Sequence, residues 1–186
     1  MQRFDVITTP IAGLLILKAK PIGDDRGYFE RFFCAEEFKE IGFTEPLCQI
    51  NHSFNREKGT LRGVHYQKPP FLETKIVRCI RGKVHDVAVD IRRGSPTFLQ
   101  HFGLELSADE PTYLYIPKGM GHAVQALSDN AEILYLVSTP FHPEADSGLN
   151  PLDPALNIKW PLEVTEISPK DRQRPFITPD FTGVEV

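Results

Sequence analysis

Proline and glycine interrupt this chain along its whole length. Its 186 residues include 16 prolines and 13 glycines, and these are dispersed rather than gathered in one linker. Because both residue types disturb regular helices and strands, they leave only short uninterrupted runs. We therefore expect short elements joined by turns, arranged as a single domain over residues 1–186 with no internal boundary.

The runs between these residues have the two-residue period of β-strands, with apolar side chains alternating with polar ones. They cover residues 4–8, 75–80, 84–91, 102–106 and 133–137. The segment 35–41, which ends at Gly42, is the clear candidate for a short helix. Many short strands with few helices predict an all-β protein, either a sandwich or a jelly-roll barrel.

Charge and composition exclude several classes of protein. The formal net charge of −4 gives no overall basic surface for nucleic acid. The early apolar run at residues 11–17 is much shorter than the ~20 residues of a membrane span. No basic start leads into a longer apolar stretch, so we expect no secretory signal. Cys34, Cys48 and Cys79 are dispersed and form no C-x-x-C motif. We therefore expect free thiols, no zinc site and a cytoplasmic protein.

His65 lies in a strand-like segment, residues 59–67, that is rich in polar and titratable side chains. Histidine titrates close to neutrality, so such a segment predicts a pocket wall as readily as a hydrogen-bonded structural histidine. On a regular strand Arg62 and His65 would face opposite sides. Both can face one pocket only if Gly63 forms a β-bulge.

For several other polar residues, the local sequence pattern alone predicts a structural role. Lys75 reads as a solvated strand end and Asp171 as part of a surface turn. Tyr135 reads as a core aromatic residue, or as an acid if it faces a pocket. His122 reads as structural or pocket-lining, because residues 65–67 lack the second histidine of a His-x-His metal set. No metal site is predicted.

A series of motifs, taken in order, resembles one known family. The motifs are residues 23–30 (GDDRGYFE), 49–53 (QINHS), 61–67 (LRGVHYQ), 75–78 (KIVR), 87–92 (VAVDIR), 95–98 (SPTF), 116–119 (IPKG), 157–161 (NIKWP) and 168–171 (SPKD). They resemble those of the dTDP-4-dehydrorhamnose 3,5-epimerases, and the resemblance extends over nearly the whole chain.

The resemblance implies a cupin jelly-roll barrel with a few short helices, acting as a homodimer without metal or organic cofactor. It implies an isomerase that converts dTDP-4-keto-6-deoxy-D-glucose to dTDP-4-keto-L-rhamnose by inverting C3 and C5. Alternatives are a C3-only or C5-only epimerase acting on a related nucleotide 4-keto sugar or heptose, and a non-catalytic cupin that binds sugar nucleotides. A metal-dependent cupin oxygenase is a further alternative, which the missing His-x-His set disfavours.

The resemblance also implies roles for individual residues. His65 matches the catalytic base and Asp171 the carboxylate that orients it. Lys75 matches the lysine near the C4 oxygen, and Tyr135 matches the acid. The residues that match substrate-binding positions are Arg26, Glu30, Gln49, Asn51, Arg62 and His122, of which Arg26 and Glu30 can come from the neighbouring subunit.

Overall fold

The computed structural model describes residues 3–186 and consists mainly of antiparallel strands. The first sheet has six strands. In sheet order these are β1 (Phe4–Thr8), β2 (Leu15–Ala19), β10 (Thr112–Ile116), β7 (Lys75–Arg81), β12 (Ala131–Val137) and β5 (Gln49–Asn55). The second sheet has five strands. In sheet order these are β13 (Asp146–Gly148), β6 (Leu61–Gln67), β11 (Met120–Ala126), β8 (Lys83–Asp90) and β9 (His101–Ser107). The predicted all-β jelly roll is confirmed.

A small hairpin and two short helices complete the regular structure. The hairpin pairs β3 (Ile22–Asp24) with β4 (Gly27–Phe29). Helix α1 (Ala35–Lys39) confirms the predicted helix but ends two residues earlier. Helix α2 (Pro169–Arg172) was not predicted, because one turn is too short to show a helical period. Within residues 3–186, neither helix has the length and apolar character needed to cross a membrane.

The space between the two sheets holds one apolar core. Val77 and Ile133 point into it from the first sheet, and Ala88 and Val124 point into it from the second. These side chains alternate with residues on the outer faces, as the two-residue period requires. Burial of each large apolar side chain contributes about 1.5–3 kcal/mol.

Both sheets are also covered on their outer faces. Phe38 of α1 and nearby Phe43 pack on the first sheet beside Ile76. The C-terminal part of the chain packs on the second sheet, where Leu156 joins the cluster that contains Val64. As a result, every residue of β10 and β11 is buried.

The covering C-terminal segment returns to the edge of the barrel at the start of β6. Ile167 forms a parallel bridge with Leu61, and the backbone N–H of Leu61 donates to the carbonyl of Glu166 at 2.8 Å. Helix α2 follows immediately and contacts β6. This return places residues from the end of the sequence beside a strand formed about a hundred residues earlier.

Asp90 organises the turn that leaves β8. Its carboxylate is fully buried and accepts hydrogen bonds from Ser95 Oγ and Thr97 Oγ1, each at 2.6 Å. The guanidinium of Arg92 also donates to it, at 2.9 and 2.7 Å. Burial acts to raise the pKa of Asp90, but these donors outweigh it and lower the pKa to about 2.

Asp90→Asn is expected to lower the free energy of unfolding by ~2 kcal/mol at pH 7. Because the folded pKa lies below the unfolded value of 3.8, this stabilisation is present above pH 4 and is lost as the pH falls toward about 2. Urea unfolding of the wild type and of Asp90→Asn at several pH values measures the difference in their free energies of unfolding, called here the gap. A gap that does not narrow between pH 4 and pH 2 would contradict the argument. Asp129→Asn, which changes an exposed turn, is the control.

Candidate active site

A cavity of about 600 Å³ opens between the two sheets, where polar side chains replace the apolar core. Every residue for which the sequence predicts a site role lines it, except Arg26 and Glu30. The predicted residues that line the cavity are Gln49, Asn51, Arg62, His65, Lys75, His122, Tyr135 and Asp171.

The predicted catalytic residues lie on opposite walls of this cavity. His65 on β6 and His122 on β11 are direct cross-strand partners in the second sheet. Tyr135 on β12 is in the first sheet, where it lies opposite Asn51 of β5. Lys75 begins β7 in the same sheet, in register with Val137. A ligand between the sheets would therefore have the imidazole groups on one side and the phenol and ammonium groups on the other.

A β-bulge at Gly63 brings Arg62 and His65 to the same cavity. In the pairing of β6 with β11, His65 lies opposite His122 and Arg62 opposite Val124, so the register shifts by one residue between them. Gly63 has φ +111° at this point. The bulge that the sequence required for a shared pocket is confirmed.

His65 and Asp171 form a close pair, although 106 positions separate them in the sequence. His65 Nε2 lies 2.7 Å from Asp171 Oδ1, and the other carboxylate oxygen accepts from the backbone N–H of Gly63 at 3.2 Å. Ser168, the N-cap of α2, accepts from the backbone N–H of Asp171 at 3.0 Å. Burial acts to raise the pKa of the Asp171 carboxyl, but the interactions with His65 hold it below its usual value.

This contact determines what the imidazole can do chemically. Nε2–H donates to Asp171, so the lone pair is left on Nδ1. The His65 side chain is 41% exposed, whereas that of Asp171 is only 4% exposed. The arrangement is that of a base with a buried carboxylate behind it, which stabilises the imidazolium once a proton is taken. The reading of Asp171 as a surface turn, drawn from its local pattern, is wrong.

Lys75 is held by a carboxylate that the sequence did not reveal. Its Nζ lies 2.9 Å from Glu73 Oε1, and the two side chains are only 12% and 14% exposed. The reading of Lys75 as a solvated strand end is therefore wrong. The ion pair fixes an otherwise flexible ammonium group at the cavity wall.

Tyr135 and His122 meet inside the barrel. Their rings pack edge to face with centroids 5.8 Å apart. His122 Nε2 lies 3.0 Å from both oxygens of Asp86, which is fully buried on β8. The Tyr135 hydroxyl lies 2.9 Å from Ser53 Oγ. Burial raises the pKa of Tyr135 to about 12, and the hydrogen bond with Ser53 opposes that rise.

Two of the predicted binding residues are tied to the cavity rim. Arg62 Nε donates to Asn55 Oδ1 at 2.7 Å, which fixes one side of its guanidinium. Gln49 Oε1 accepts from the backbone N–H of Phe141 at 2.6 Å and so ties the loop after β12 to β5. Phe141 lies at the cavity and is 56% exposed.

Arg26 and Glu30 lie away from the cavity of their own chain. Arg26 is on the exposed hairpin and pairs with Asp24 at 2.5 Å. Glu30 packs on the outer face of the first sheet, where it accepts from the Tyr113 hydroxyl and lies 3.8 Å from Arg78 Nε. Within one chain these two residues are therefore not part of the site.

Sequence reasoning missed Ser53, Glu73 and Asp86. Asp86 carried the clearest signal, because it occupies an inward position on β8 between Val84 and Ala88, both core residues. A carboxylate at such a position requires a buried partner. In the part of the chain that the structure describes, no group of three or more His, Cys, Asp or Glu side chains is arranged to hold a metal ion.

The sequence matches one family along most of its length. The profile of the family described as dTDP-4-dehydrorhamnose 3,5-epimerase matches residues 8–178. The dTDP-4-dehydrorhamnose 3,5-epimerase of Escherichia coli (strain K12) is 43% identical over 171 residues, covering 91% of this chain and 92% of that protein.

Solved structures agree with this match. The dTDP-6-deoxy-D-glucose-3,5-epimerase of Legionella pneumophila Philadelphia 1, crystallised with dTDP-4-keto-L-rhamnose, superposes with a TM-score of 0.91 at 39% identity, covering 98% of this chain and 99% of that one. A 3′-monoepimerase of Streptomyces bikiniensis, crystallised with dTDP-quinovose, superposes with a TM-score of 0.84 at 34% identity, covering 90% and 85%. The barrel is thus a cupin-type jelly roll, and the chain belongs to the dTDP-4-dehydrorhamnose 3,5-epimerase family.

Proposed function

We propose that this enzyme is an isomerase that inverts C3 and C5 of a nucleotide-linked 4-keto-6-deoxyhexose. The substrate is dTDP-4-keto-6-deoxy-D-glucose and the product is dTDP-4-keto-L-rhamnose. The observation that carries the proposal is the placement of a carboxylate-backed histidine and a tyrosine on opposite walls of one cavity. Inversion of a carbon centre needs proton removal on one face and proton return on the other.

The chemistry begins at His65. Both C3 and C5 are adjacent to the C4 ketone, so their protons are acidic enough for an imidazole base to remove. Removal breaks the C–H bond and moves its electrons into an enolate whose charge lies on the C4 oxygen. The ammonium of Lys75, held by Glu73, stabilises that charge as it develops. Asp171 stabilises the imidazolium that forms.

Tyr135 completes the inversion from the other wall. Its hydroxyl gives a proton to the enolate carbon on the face opposite His65, which forms the inverted C–H bond. Proton-transfer groups of this kind typically contribute ~10²–10⁴ in rate. Gln49, Asn51 and His122 line the cavity around the sugar.

The nucleotide end of the substrate needs further contacts. Arg62 offers a forked guanidinium donor to the diphosphate. Arg26 and Glu30, which lie outside the cavity of their own chain, would reach the nucleotide bound by a second copy. This is why we propose a homodimer, with residues 1–186 of each subunit as one epimerase domain. Because the substrate is made from cellular nucleotide sugars, we propose a cytoplasmic location.

Incubation with dTDP-4-keto-6-deoxy-D-glucose in D₂O tests the proposal. We expect deuterium at both C3 and C5 in the product, detected by proton NMR and mass spectrometry. Binding without any exchange would instead identify a sugar-nucleotide-binding cupin. The absence of both binding and exchange would show that the substrate is a different one.

A single-centre epimerase is the second candidate function. The similarity to a 3′-monoepimerase of Streptomyces bikiniensis, at 34% identity, supports it. Because one base can serve either carbon, the same cavity chemistry fits inversion of C3 alone. Deuterium and inversion at only one carbon in the D₂O experiment would establish this second function and exclude the first.

Tyr135→Phe is expected to retain deuterium exchange while losing most of the inversion. The phenyl ring keeps the packing against His122 but has no proton to donate. His65, whose side chain is 41% exposed, still forms the enolate, exchanges the proton it removed with D₂O and returns a deuteron to the original face. The measurement compares deuterium in the recovered substrate with deuterium in the product. Equal loss of exchange and inversion would contradict the assignment of Tyr135 as the acid.

A further inference from the structure

Ser53 is placed to control the hydroxyl of Tyr135. Its Oγ lies 2.9 Å from Tyr135 Oη. In the pairing of β5 with β12, Ser53 lies opposite Ile133, an inward-facing core residue, while Tyr135 lies opposite Asn51. The contact is therefore a diagonal one across the inner face of the first sheet, within reach of a long aromatic side chain.

Few other groups stabilise the phenol. Its ring packs against the apolar core and the edge of His122. Among residues 3–186, Ser53 is the one side chain that the structure places within hydrogen-bond distance of the hydroxyl. The positive charge of Arg62 favours the phenolate, whereas the negative charge of Asp86 disfavours it. A phenolate formed here depends mainly on Ser53 for a hydrogen-bond donor.

We infer that Ser53 is a positioning residue that determines how often Tyr135, rather than His65, returns the proton to the sugar. This inference rests on the proposed epimerase function and adds a residue to which neither the sequence nor the family match assigns a role. Ser53 does not line the cavity, so it acts through Tyr135 and not on the substrate.

The role of Ser53 follows from the bonds that form and break when Tyr135 gives its proton to the enolate. When Tyr135 protonates the enolate, a C–H bond forms at C3 or C5, the phenol O–H bond breaks, and the phenolate keeps the electron pair. The Ser53 hydroxyl then donates to that phenolate, and hydrogen bonds to charged acceptors are roughly twice as strong as neutral ones. Tyr135 then regains a proton from solvent and His65 releases to solvent the proton it removed, which restores both groups before the next inversion.

Loss of the serine hydroxyl should affect only one of two competing outcomes. In D₂O the ring of His65, whose side chain is 41% exposed, exchanges the proton it removed for deuterium. It can then return that deuteron to the original face, which gives labelled substrate of unchanged configuration. That path does not use Ser53. Without the hydroxyl, the phenolate is harder to form and the phenol is less well fixed. Enolate then returns more often through His65, and solvent deuterium accumulates in uninverted substrate.

Ser53→Ala in D₂O tests this inference. We expect inversion to fall by ~10-fold or more, the effect of one hydrogen bond to a charged group. Exchange into recovered substrate should equal or exceed the wild-type rate, because enolate formation is unchanged and more of the enolate returns through His65. Ser53→Thr keeps a hydroxyl at the same position on a β-strand and should restore most of the inversion. The measured quantity is the ratio of inversion to exchange, which a purely structural role would not change.

Ser128→Ala is the matched control. It also removes one serine hydroxyl that makes one hydrogen bond, to the backbone N–H of Lys83 in a remote turn. It should leave the ratio unchanged, and thermal unfolding of all three variants checks that each is folded. An unchanged ratio in Ser53→Ala, or an equal loss of exchange and inversion, would overturn the role of Ser53 alone. A wild-type enzyme without exchange or inversion would instead overturn the proposed function.

Discussion

His65→Ala is expected to lower deuterium exchange and inversion at both C3 and C5 by ~10²–10⁴-fold. Both inversions begin with proton removal on the wall formed by the second sheet, and His65 is the base placed there with a carboxylate behind it. Because the step that forms the enolate is lost, exchange and inversion should disappear together. This distinguishes His65→Ala from Tyr135→Phe, in which exchange survives. NMR of substrate and product in D₂O measures both quantities.

The His65 variant should still fold. The side chain is 41% exposed, and Asp171 keeps the hydrogen bond from the backbone N–H of Gly63. Loss of one partner of a buried carboxylate costs about 1–3 kcal/mol, which leaves most of the stability of a domain of this size. His85→Ala is the matched control, because His85 is half-buried on β8 and packs beside Trp160, away from the cavity. Full exchange in the His65 variant would overturn the assignment of the base.

Asp171→Asn tests the effect of the His65 tautomer on activity while the imidazole itself stays in the cavity. The asparagine oxygen can still accept from the Gly63 N–H, so its amide group faces His65 Nε2 as a donor. Nε2 must then accept and the proton moves to Nδ1, which can no longer act as the base. We expect this variant to lose exchange nearly as completely as His65→Ala while changing the stability less.

Local periodicity predicted five of the strands, β1, β7, β8, β9 and β12, because successive side chains of a strand point to opposite faces. On β12, Ile133 and Tyr135 point between the sheets while Leu136 packs on the outer face. Lys75 and Tyr135 also lie on the inner side of the first sheet, where both line the cavity. Local pattern had read Lys75 as a solvated strand end and had left Tyr135 as either a core residue or a pocket residue. Periodicity also identified Gly63 as the one position at which a bulge would join Arg62 and His65 in a pocket.

The carboxylate partners could not be predicted from local pattern, because they come from distant or hidden positions. Asp171 reaches His65 only because the C-terminal segment returns to the start of β6. Its four-residue helix is too short to carry a helical period. Glu73 precedes β7 in a loop, where nothing local shows that its carboxylate turns back to Lys75. For Asp171, the family resemblance supplied a role that the local pattern did not.

Gly63→Ala is expected to lower the free energy of unfolding by ~3 kcal/mol or more. A Cβ at this position would lie 2.5 Å from the carbonyl oxygen of His122 and 2.7 Å from the Cα of Ala123. Both are backbone atoms of β11, so a side-chain rotation cannot relieve the contact. The φ of +111° adds strain for any residue with a Cβ. Urea unfolding measures the loss.

The same substitution should reduce activity beyond its effect on stability. Relief of the clash requires β6 to move away from β11, which displaces His65 and the Gly63 N–H that donates to Asp171. A shift of about 1 Å in a reacting group can cost ~10²-fold in rate. Gly94→Ala is the matched control, because Gly94 also has positive φ, +74°, but an added Cβ would meet nothing within 4 Å. In Gly94→Ala the free energy of unfolding should fall only by the cost of placing a residue with a Cβ at positive φ, about 1 kcal/mol, and activity should stay normal. Equal behaviour of the two alanine variants would show that the bulge tolerates a Cβ and does not fix the position of His65.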